Sequence, residues 1–500
     1  MSVSHPALER GDGGLITRRQ LLKWVPSIAV LATAASVSPE LALASPSGDV
    51  ASSVPSTTAE SALGSLLEVP FRSPADAVSD CTQRRSAYGC QNTSSSSALE
   101  MVLANTSLAE SRLGLGNWPL LDESEDPNLG HFTFPISPYD VTSDDGVQQF
   151  LLFSNSQIIA NFRTGGYLEQ AQKQMFDRAV WAMQQGRKGT AIVEFDRPVP
   201  PEKVDRIVKL LSYYGVKIII WGNELNDPNA PWRDNLPALF DILSTANDTR
   251  KAYGLSDVEL SLPGLAYYGH GEYLQKMLST FRDLQRTKYP SAPNDFPVQR
   301  VADHYYGPVD GLLQRIQMIR GIIAATGVTQ LKYDLTEIGN PTLGGNQQLA
   351  SDQQLAEGYI PQIASIAIAS NQVDRINYYS LLDASDDHSL MRVQDGRLVK
   401  KPSYQAVVVA AKLLARLTSL TVTDQGNLSR VDGRRTDNIA FQILWSKVGQ
   451  DVWADLPNGA RVFNALGQEI QPQRPNQILL ERSQLPVLAG PARIVVTRFG

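Results

Sequence analysis

The sequence predicts an α/β protein, a (β/α)8 TIM barrel followed by a C-terminal all-β, sandwich-like domain. Short apolar runs alternate with amphipathic helical segments over roughly 300 residues, which is the length and order of eight strand–helix units. The run Val216–Trp221 predicts a strand buried on both faces, because β-branched residues follow one another without polar alternation. After about residue 415 the helical pattern stops, and short strands separated by turn residues take its place.

The predicted barrel covers residues 66–415 and the all-β domain residues 416–500. Long loops separate the first two barrel strands, and residues 119–145 show no clear periodicity. The predicted barrel strands, in order, are Arg112–Trp118, Gln157–Phe162, Ala191–Phe195, Val216–Trp221, Val258–Leu262, Val301–Tyr305, Lys332–Thr336 and Arg375–Tyr379. The predicted strands of the all-β domain are Leu420–Val422, Ile439–Trp445, Val452–Ala454, Gln477–Leu480 and Ile494–Val496.

The helix before Val216 illustrates how the intervening segments are assigned. Pro201 stands at the first turn, where a helix needs no backbone N–H donor. Val204, Ile207 and Leu211 recur on one helical face, and Gly215 ends the helix before the next strand begins.

Composition excludes several classes of partner. The 500 residues carry 45 basic and 51 acidic side chains, a formal net charge of −6, and are 42% hydrophobic. No basic stripe is present, so we expect no binding to nucleic acid or to anionic membrane surfaces. No long apolar run follows the first fifty residues, so we expect no integral membrane domain after removal of the amino-terminal segment.

Residues 1–44 resemble a twin-arginine-type signal peptide. Arg18 and Arg19 precede an apolar stretch from Val25 to Val37, and Ala42–Ala44 is an A-x-A cleavage candidate. The alternative is a chance arginine pair beside a buried helix. We expect an exported protein, periplasmic or extracellular. Residues 45–65, rich in Ser, Thr, Ala and Pro, predict a flexible linker.

Cys81 and Cys90 are the two cysteines of the chain, nine positions apart in a polar segment. In an oxidising compartment this spacing suits a small disulfide. The alternative is half of a metal site, but no histidine or second cysteine pair lies nearby in the sequence. We therefore expect a disulfide.

Two carboxylates occupy the ends of predicted barrel strands. Asn223 and Glu224 follow the fourth strand, and Glu337, 113 residues later, follows the seventh. Because a barrel gathers its chemistry at the carboxyl ends of the strands, these glutamates are expected to face each other across its mouth. A carboxylate pair about 5–5.5 Å apart is what a retaining glycosidase requires, with one as nucleophile and the other as acid and base.

The residues around these strand ends resemble the clan A retaining glycoside hydrolases over roughly residues 105–415. The resemblance is carried by Trp221–Glu224 on strand 4, Thr336–Gly339 on strand 7 and His304–Tyr306 on strand 6. It implies that Glu224 is the general acid/base, that Glu337 is the nucleophile, and that Asn223 hydrogen-bonds the sugar 2-hydroxyl. A protonated Glu224 and an ionised Glu337 are required for these roles.

The resemblance also implies substrate contacts near the nucleophile. His304 is a candidate, although a core histidine is an equal alternative for it. Either Tyr305 or Tyr306 would hold Glu337, since strand alternation turns only one of them inward. Tyr378 is the candidate on strand 8, whose end lacks the tryptophan that many members carry. Arg163 is the nearest candidate for the usual strand-2 arginine.

Two further features leave alternatives open. Trp232, in the loop after Glu224, could stack on a sugar ring or simply pack the loop. A polar cluster follows strand 8, and it predicts an ordinary loop rather than a metal site, because ligands so close in sequence need a glycine-turned loop to converge. Its members are Asp383, Asp386, Asp387 and His388.

The expected activity is hydrolysis of an O-glycosidic bond in a polysaccharide or oligosaccharide, with no cofactor, and the resemblance implies that this bond is β-linked. Transglycosylation uses the same covalent intermediate and is an alternative. A non-catalytic carbohydrate-binding envelope protein would not need both carboxylates. A metal-dependent barrel enzyme is a third alternative, which sensitivity to chelators would reveal.

Overall fold

A computed structural model describes most of the chain from residue 98 to residue 498. The described ranges are 98–116, 129–136, 179, 183–184, 186–195, 198–228, 230, 232–266, 270–340, 350–381, 388–394, 397–447, 449–483 and 488–498. They lie within one compact unit. Among these residues, no helix combines the length and the apolar character that crossing a bilayer would require.

Eight parallel strands close into a barrel, which confirms the predicted fold class. The closing pair joins the first strand to the last, in register from Leu113 opposite Ile376 to Gly116 opposite Tyr379. The strands are β1 (Leu113–Gly116), β2 (His131–Ile136), β3 (Lys188–Val193), β4 (Ile218–Trp221), β5 (Glu259–Ser261), β6 (Arg300–Tyr305), β7 (Lys332–Ile338) and β8 (Arg375–Tyr379).

The predicted second strand is wrong. The strand between β1 and β3 is His131–Ile136, inside the segment without clear periodicity, and it pairs with β3 from His131 opposite Lys188 onward. Gln157–Phe162 lies outside the described residues. A strand buried by helices outside and by side chains inside needs no alternation, and His131 and Pro135 interrupt its apolar pattern. Arg163, the candidate for the arginine of the second strand, also lies outside the described residues, so its role stays a prediction.

From β3 onward, helices alternate with the barrel strands in the described ranges, as predicted. In the helix that precedes β4, Val204, Ile207 and Leu211 are buried, and Gly215 after it adopts a φ of 87° that favours glycine. The helices are α1 (Ala98–Asn105), α2 (Pro201–Tyr213), α3 (Leu236–Ala252), α4 (His270–Lys288), α5 (Val309–Ala325), α6 (Asp352–Gly358), α7 (Ile360–Ala369) and α8 (Pro402–Leu413).

The third and fourth barrel strands carry buried apolar residues on both faces. Ile192, Ile218, Ile220 and Ala302 form a separate apolar cluster in the barrel interior. The alternate residues, such as Ile219, belong to the main core that the surrounding helices cover. This two-sided burial explains the unbroken β-branched run in β4.

The C-terminal part is all-β, as predicted. A hairpin, β9 (Met391–Gln394) and β10 (Arg397–Lys400), precedes α8. The other strands are β11 (Leu417–Gln425), β12 (Leu428–Arg435), β13 (Ile439–Ser446), β14 (Val452–Asp455), β15 (Arg461–Asn464), β16 (Glu469–Ile470), β17 (Gln477–Leu480) and β18 (Arg493–Arg498). They form an antiparallel six-stranded sheet of order β11-β12-β13-β18-β15-β16 and a separate two-stranded sheet that joins β14 to β17.

Three neighbouring strands of the six-stranded sheet, β13, β18 and β15, carry buried residues on both faces. Leu444, Val462 and Val495 pack with Ile478 and Leu480 of the two-stranded sheet, which gives the sandwich-like arrangement. The residues next to them in sequence point the other way into the main core, and they include Ile443, Phe463 and Ile494. This period of two is the pattern of packed sheet layers.

The strand β12 was not predicted, because its arginines and its aspartate conceal the alternation. Its Arg435 is buried and donates to the carbonyls of Lys412, Leu413 and Ala415 at the end of α8. A guanidinium at a helix C-terminus satisfies carbonyls that have no partner within the helix. Arg435 thus ties the C-terminal sheet to the last helix of the barrel.

Candidate active site

The turn after β4 sets the position of Glu224. Gly222 has a φ of 94° and Glu224 a φ of 51°, so the chain bends sharply as it leaves the barrel. The Glu224 amide donates to the Gly264 carbonyl at 2.7 Å, and Asn223 forms a parallel bridge with Gly264. The loop after β5 therefore supports the backbone that carries Asn223 and Glu224.

Asn226 fixes the same turn from its other side. Its side-chain amide donates to the Ala266 carbonyl at 3.0 Å, and its Oδ1 accepts from the Ala266 amide at 2.7 Å. Asn226 is 1% exposed, so this pair of bonds joins the two loops in a place that water does not reach. Sequence analysis missed Asn226. The sequence could have indicated it, because Asn226 is an amide residue only two positions after Glu224.

Glu337 points into the barrel mouth because of an irregularity in β7. Leu335 pairs with Asp303 of β6, but the next pair is His304 with Glu337, so Thr336 is an extra residue. Such a bulge reverses the alternation that follows it. Without it, Glu337 would share the outward face with Leu335. The predicted strand ended at Thr336, whereas β7 continues to Ile338.

Glu224, His304 and Glu337 converge at the mouth. One ligating atom from each lies within 4.8 Å of the others. The Nδ1 atom of His304 lies 2.9 Å from Glu224 Oε1 and 3.5 Å from Glu337 Oε2. Glu337 is 2% exposed, and the Glu224 side chain retains 28% exposure. The deeper carboxylate is thus enclosed, and the other borders the open mouth.

The two candidate tyrosines have different positions. Tyr306 donates to Glu337 Oε2 at 2.7 Å. Tyr305 faces the surrounding core, and its hydroxyl donates to the Pro308 carbonyl. Burial and the neighbouring carboxylate of Glu337 raise the pKa of Tyr306 well above its usual range, so it stays a neutral donor. Tyr306 is therefore the tyrosine that holds Glu337. The prediction that Tyr305 contacts the sugar is wrong.

Two other predicted sugar contacts are also wrong. Tyr378 is fully buried in the core outside the barrel, because residues of β8 alternate and Tyr379 takes the inward direction. Trp232 is 4% exposed and packs edge-on against Phe195 at 5.3 Å, so the loop-packing alternative is correct. Arg163, Cys81 and Cys90 lie outside the described residues, and their predictions stay untested.

A cluster of three rings stands beside the nucleophile candidate. The Tyr306 ring meets His388 edge-to-face at 5.3 Å and Tyr379 at 6.3 Å, and Tyr379 meets His388 at 5.9 Å. Gly339 leaves room for them, since a Cβ there would lie 2.6 Å from Tyr306 Cε1. Sequence analysis missed Tyr379. It assigned His388 to an ordinary polar loop, although the ring belongs to the site.

A third carboxylate, Glu194, follows β3 and was also missed. It comes two residues after Ile192, whose side chain fills the barrel interior, so alternation directs Glu194 to the same side. It is half-buried. The signal was available, since Glu194 lies one residue before the end of the predicted strand Ala191–Phe195.

Among the described residues, the group suited to hold a metal ion is Glu224, His304 and Glu337. Two carboxylates and an imidazole could ligate a divalent transition metal. The predicted polar cluster after β8 is described only at His388, whose ring packs on tyrosines. Asp383, Asp386 and Asp387 lie outside the described residues.

Asn223 completes the geometry. Its Oδ1 atom is buried and has no hydrogen-bond partner within the described part of the chain. A buried polar atom without a partner is uncommon in proteins, and at a candidate site it indicates a group that a ligand would satisfy. Asn223 lies next to Glu224 in the turn, so such a ligand would also meet the carboxylates.

No protein-family model and no curated protein matches the chain. Among solved structures, it is similar to a family 39 glycoside hydrolase from Bacteroides cellulosilyticus WH2. The identity is 15% and the TM-score 0.52, over 78% of this chain and 82% of that one. It is also similar to a glucosidase from Croceicoccus marinus, at 10% identity and a TM-score of 0.50, over 79% of this chain and 97% of that one. At these identities the likeness shows a shared fold.

Proposed function

We propose that this chain is a retaining glycoside hydrolase that cleaves a β-linked O-glycosidic bond in a polysaccharide or oligosaccharide. The observation that carries the proposal is the approach of Glu224 and Glu337 to within 4.8 Å between carboxylate oxygens. Retaining glycosidases place their two carboxyl groups about 5–5.5 Å apart, whereas inverting ones leave about 6.5–9.5 Å for a water molecule. The barrel fold shared with a family 39 glycoside hydrolase and a glucosidase supports it.

In the first step, a carboxylate oxygen of Glu337 attacks the anomeric carbon and the bond to the leaving oxygen breaks. Glu224 gives its proton to that oxygen. The partial exposure of Glu224 suits this role, because the leaving group must depart through the open mouth. The product of this step is a glycosyl ester on Glu337.

In the second step, Glu224 takes a proton from water, and the water oxygen attacks the anomeric carbon. Glu337 then leaves as a carboxylate. Tyr306 and His304 are placed to stabilise its charge, at 2.7 and 3.5 Å from Oε2. His304 also contacts Glu224 at 2.9 Å, so one imidazole links both carboxylates. Asn223 would hydrogen-bond the sugar 2-hydroxyl through its buried Oδ1.

The test uses two alanine variants on an activated aryl β-glycoside. Glu337→Ala should lower kcat by several orders of magnitude, and azide should restore turnover with an α-glycosyl azide as product. Glu224→Ala should also respond to azide but yield the β-glycosyl azide, because azide then attacks the covalent intermediate. The matched control is Glu202→Ala, which changes an exposed glutamate on α2 and should leave kcat unchanged.

Three results would contradict the proposal. Full activity of Glu337→Ala would exclude Glu337 as the nucleophile. If the parent enzyme released the α anomer first, the reaction would proceed with inversion. Loss of activity in EDTA would favour a metal at Glu224, His304 and Glu337 instead. Sugar transfer to an added acceptor alcohol would identify the transglycosylase alternative, which shares the same covalent intermediate.

Export through a twin-arginine-type signal is part of the same proposal. It is supported by the Arg18-Arg19 pair, the apolar stretch after it and Ala42–Ala44. Changing both arginines to lysine should retain the precursor inside the cell while the parent chain is cleaved and exported. A disulfide between Cys81 and Cys90 would follow from the oxidising compartment, and peptide mass spectrometry without reductant would detect it.

A further inference from the structure

The strand β7 contains one residue more than its two neighbours require. Against β6, Thr336 is extra between the pairs that Asp303 and His304 form. Against β8, the three steps from Leu335 to Ile338 match only two steps of the partner strand. Because both neighbours meet the same extra residue, the bulge belongs to β7 itself. A bulge interrupts the ladder of backbone hydrogen bonds, so other contacts have to hold it.

The hydroxyl of Thr336 supplies such a contact. Its Oγ1 donates to the carbonyl of Asp303 at 3.3 Å, and Asp303 is the last residue of β6 before the pairing shifts. Thr336 is 3% exposed and Asp303 is completely buried, so water does not compete for this bond. The bond joins the extra residue of β7 to β6 at the position where the ladder is interrupted.

The first barrel strand accommodates the same bulge. The carbonyl oxygen of Thr336 lies 3.2 Å from the position that a Cβ of residue 116 would occupy, and that residue is Gly116. The distance is shorter than ordinary van der Waals contact, so a side chain at residue 116 would press on the bulge. The strand β6 thus holds the bulge through a hydrogen bond, and β1 leaves the space that its carbonyl needs.

The bulge sends the next two side chains in opposite directions. Ile338 is buried in the core outside the barrel. Oε2 of Glu337 lies 2.7 Å from the Tyr306 hydroxyl and 3.5 Å from Nδ1 of His304. Burial of Ile338 fixes the general direction of both, because the opposite register would place a carboxylate in that core. Since Glu337 follows Thr336 directly, the exact position of its carboxylate depends on how firmly the bulge is held.

We propose that Thr336 is a positioning residue for the nucleophile. Its hydroxyl holds the bulge of β7, and the bulge holds the Glu337 carboxylate where it can attack the anomeric carbon. The proposal rests on the proposed glycosidase function and adds a residue that acts through Glu337. Reacting atoms have to approach to about 3–3.5 Å, and a misplacement of about 1 Å can cost about 100-fold in rate.

The test uses two pairs of proteins, each of which differs by one hydroxyl. The parent enzyme is compared with Thr336→Val, and Thr336→Ser is compared with Thr336→Ala. Steady-state kinetics would be measured on the aryl β-glycoside that the parent cleaves best, and urea unfolding on every variant. The matched control is Thr326→Val at the end of α5. That threonine is also buried, and its hydroxyl donates to the carbonyls of Ile322 and Ile323 at 3.1 and 2.9 Å.

Thr336→Val should lower kcat and kcat/KM together by about 10- to 100-fold, with KM within about threefold of the parent value. Thr336→Ala should differ from Thr336→Ser in the same direction, and Thr336→Ser should keep kcat within about threefold of the parent. If Thr336→Val does not fold, the serine and alanine variants decide the question. Thr326→Val should lower the urea midpoint and leave kcat unchanged.

Equal kcat values with and without the hydroxyl would overturn the proposal. A higher KM at constant kcat would overturn it as well, since Thr336 would then contribute to ground-state binding. So would an equal fall of kcat in Thr326→Val, because the loss would then follow from stability alone. None of these outcomes touches the glycosidase proposal, which depends on the Glu337 and Glu224 variants. Conversely, a parent enzyme inactive on every glycoside contradicts both.

Discussion

The imidazole of His304 packs directly on the backbone of Gly264. A Cβ at residue 264 would lie 2.5 Å from His304 Nε2 and 3.0 Å from Cε1. The ring has no room to retreat, because it is completely buried and its Nδ1 contacts both carboxylates. The absence of a side chain at residue 264 is therefore a condition for the position of His304.

Gly264→Ala should displace His304 and weaken its contact with Glu224. We expect kcat to fall at least tenfold and the free energy of unfolding to fall by about 1–3 kcal/mol, the usual effect of overpacking. The control is Gly321→Ala on α5, where a Cβ would meet nothing within 4 Å. That change should stabilise the protein by about 0.5–1 kcal/mol, since alanine favours a helix. An unaltered kcat in Gly264→Ala would contradict the expected displacement.

Tyr306→Phe removes a donor from an enclosed carboxylate. Hydrogen bonds to charged groups contribute about 1.5–3 kcal/mol, so kcat on an aryl glycoside should fall about 10- to 100-fold. The neighbouring Tyr305→Phe is the matched control, because its hydroxyl donates to a backbone carbonyl outside the mouth. It should leave kcat unchanged and lower the free energy of unfolding by about 1 kcal/mol. Equal effects of the two changes on kcat would count against the assignment of Tyr306.

Asp303 and Arg315 form a buried ion pair between β6 and α5. The Arg315 Nε donates to Asp303 Oδ2 at 2.9 Å, and Tyr333 donates to the same oxygen at 2.7 Å. Arg315→Met should lower the free energy of unfolding by about 3–5 kcal/mol in urea titrations, because it leaves an uncompensated buried carboxylate. Adding Asp303→Leu to that variant should recover most of the loss. If the double variant is no more stable than Arg315→Met, the buried charge is not the cause.

The burial of His131 leads us to expect that the free energy of unfolding decreases in acid. Its burial lowers the pKa of the imidazole to about 3, below the value near 6.5 of an exposed histidine. Between pH 6.5 and pH 3, His131 is protonated in the unfolded chain and neutral in the folded chain. The free energy of unfolding, which is highest above pH 6.5, therefore falls as the pH decreases toward 3. At pH 5 this group alone should account for about 2 kcal/mol of lost stability. Urea unfolding at several pH values, compared with His131→Gln, measures it. Parallel pH curves for the two proteins would contradict the prediction.

The sequence predicted the strands from β3 to β8 more accurately than it predicted β2. From β3 to β8 the bounds of the predicted strands agree with the structure to within three residues, because apolar runs and clear helical faces alternate there. At β2 the prediction failed. His131 and Pro135 interrupt that strand, and only its neighbours β1 and β3 identify it as part of the sheet.

By itself, the sequence determined that a (β/α)8 barrel is followed by an all-β domain, and that Glu224 and Glu337 stand at the ends of two barrel strands. Those properties depend on local periodicity, which single segments carry. Only the tertiary structure decided which side chains reach the mouth. Thr336 turns Glu337 inward as an extra residue of β7, alternation selects Tyr306 and Tyr379 over Tyr305 and Tyr378, and a returning loop supplies His388. Strand register and loop return depend on contacts between distant segments, and no local pattern encodes them.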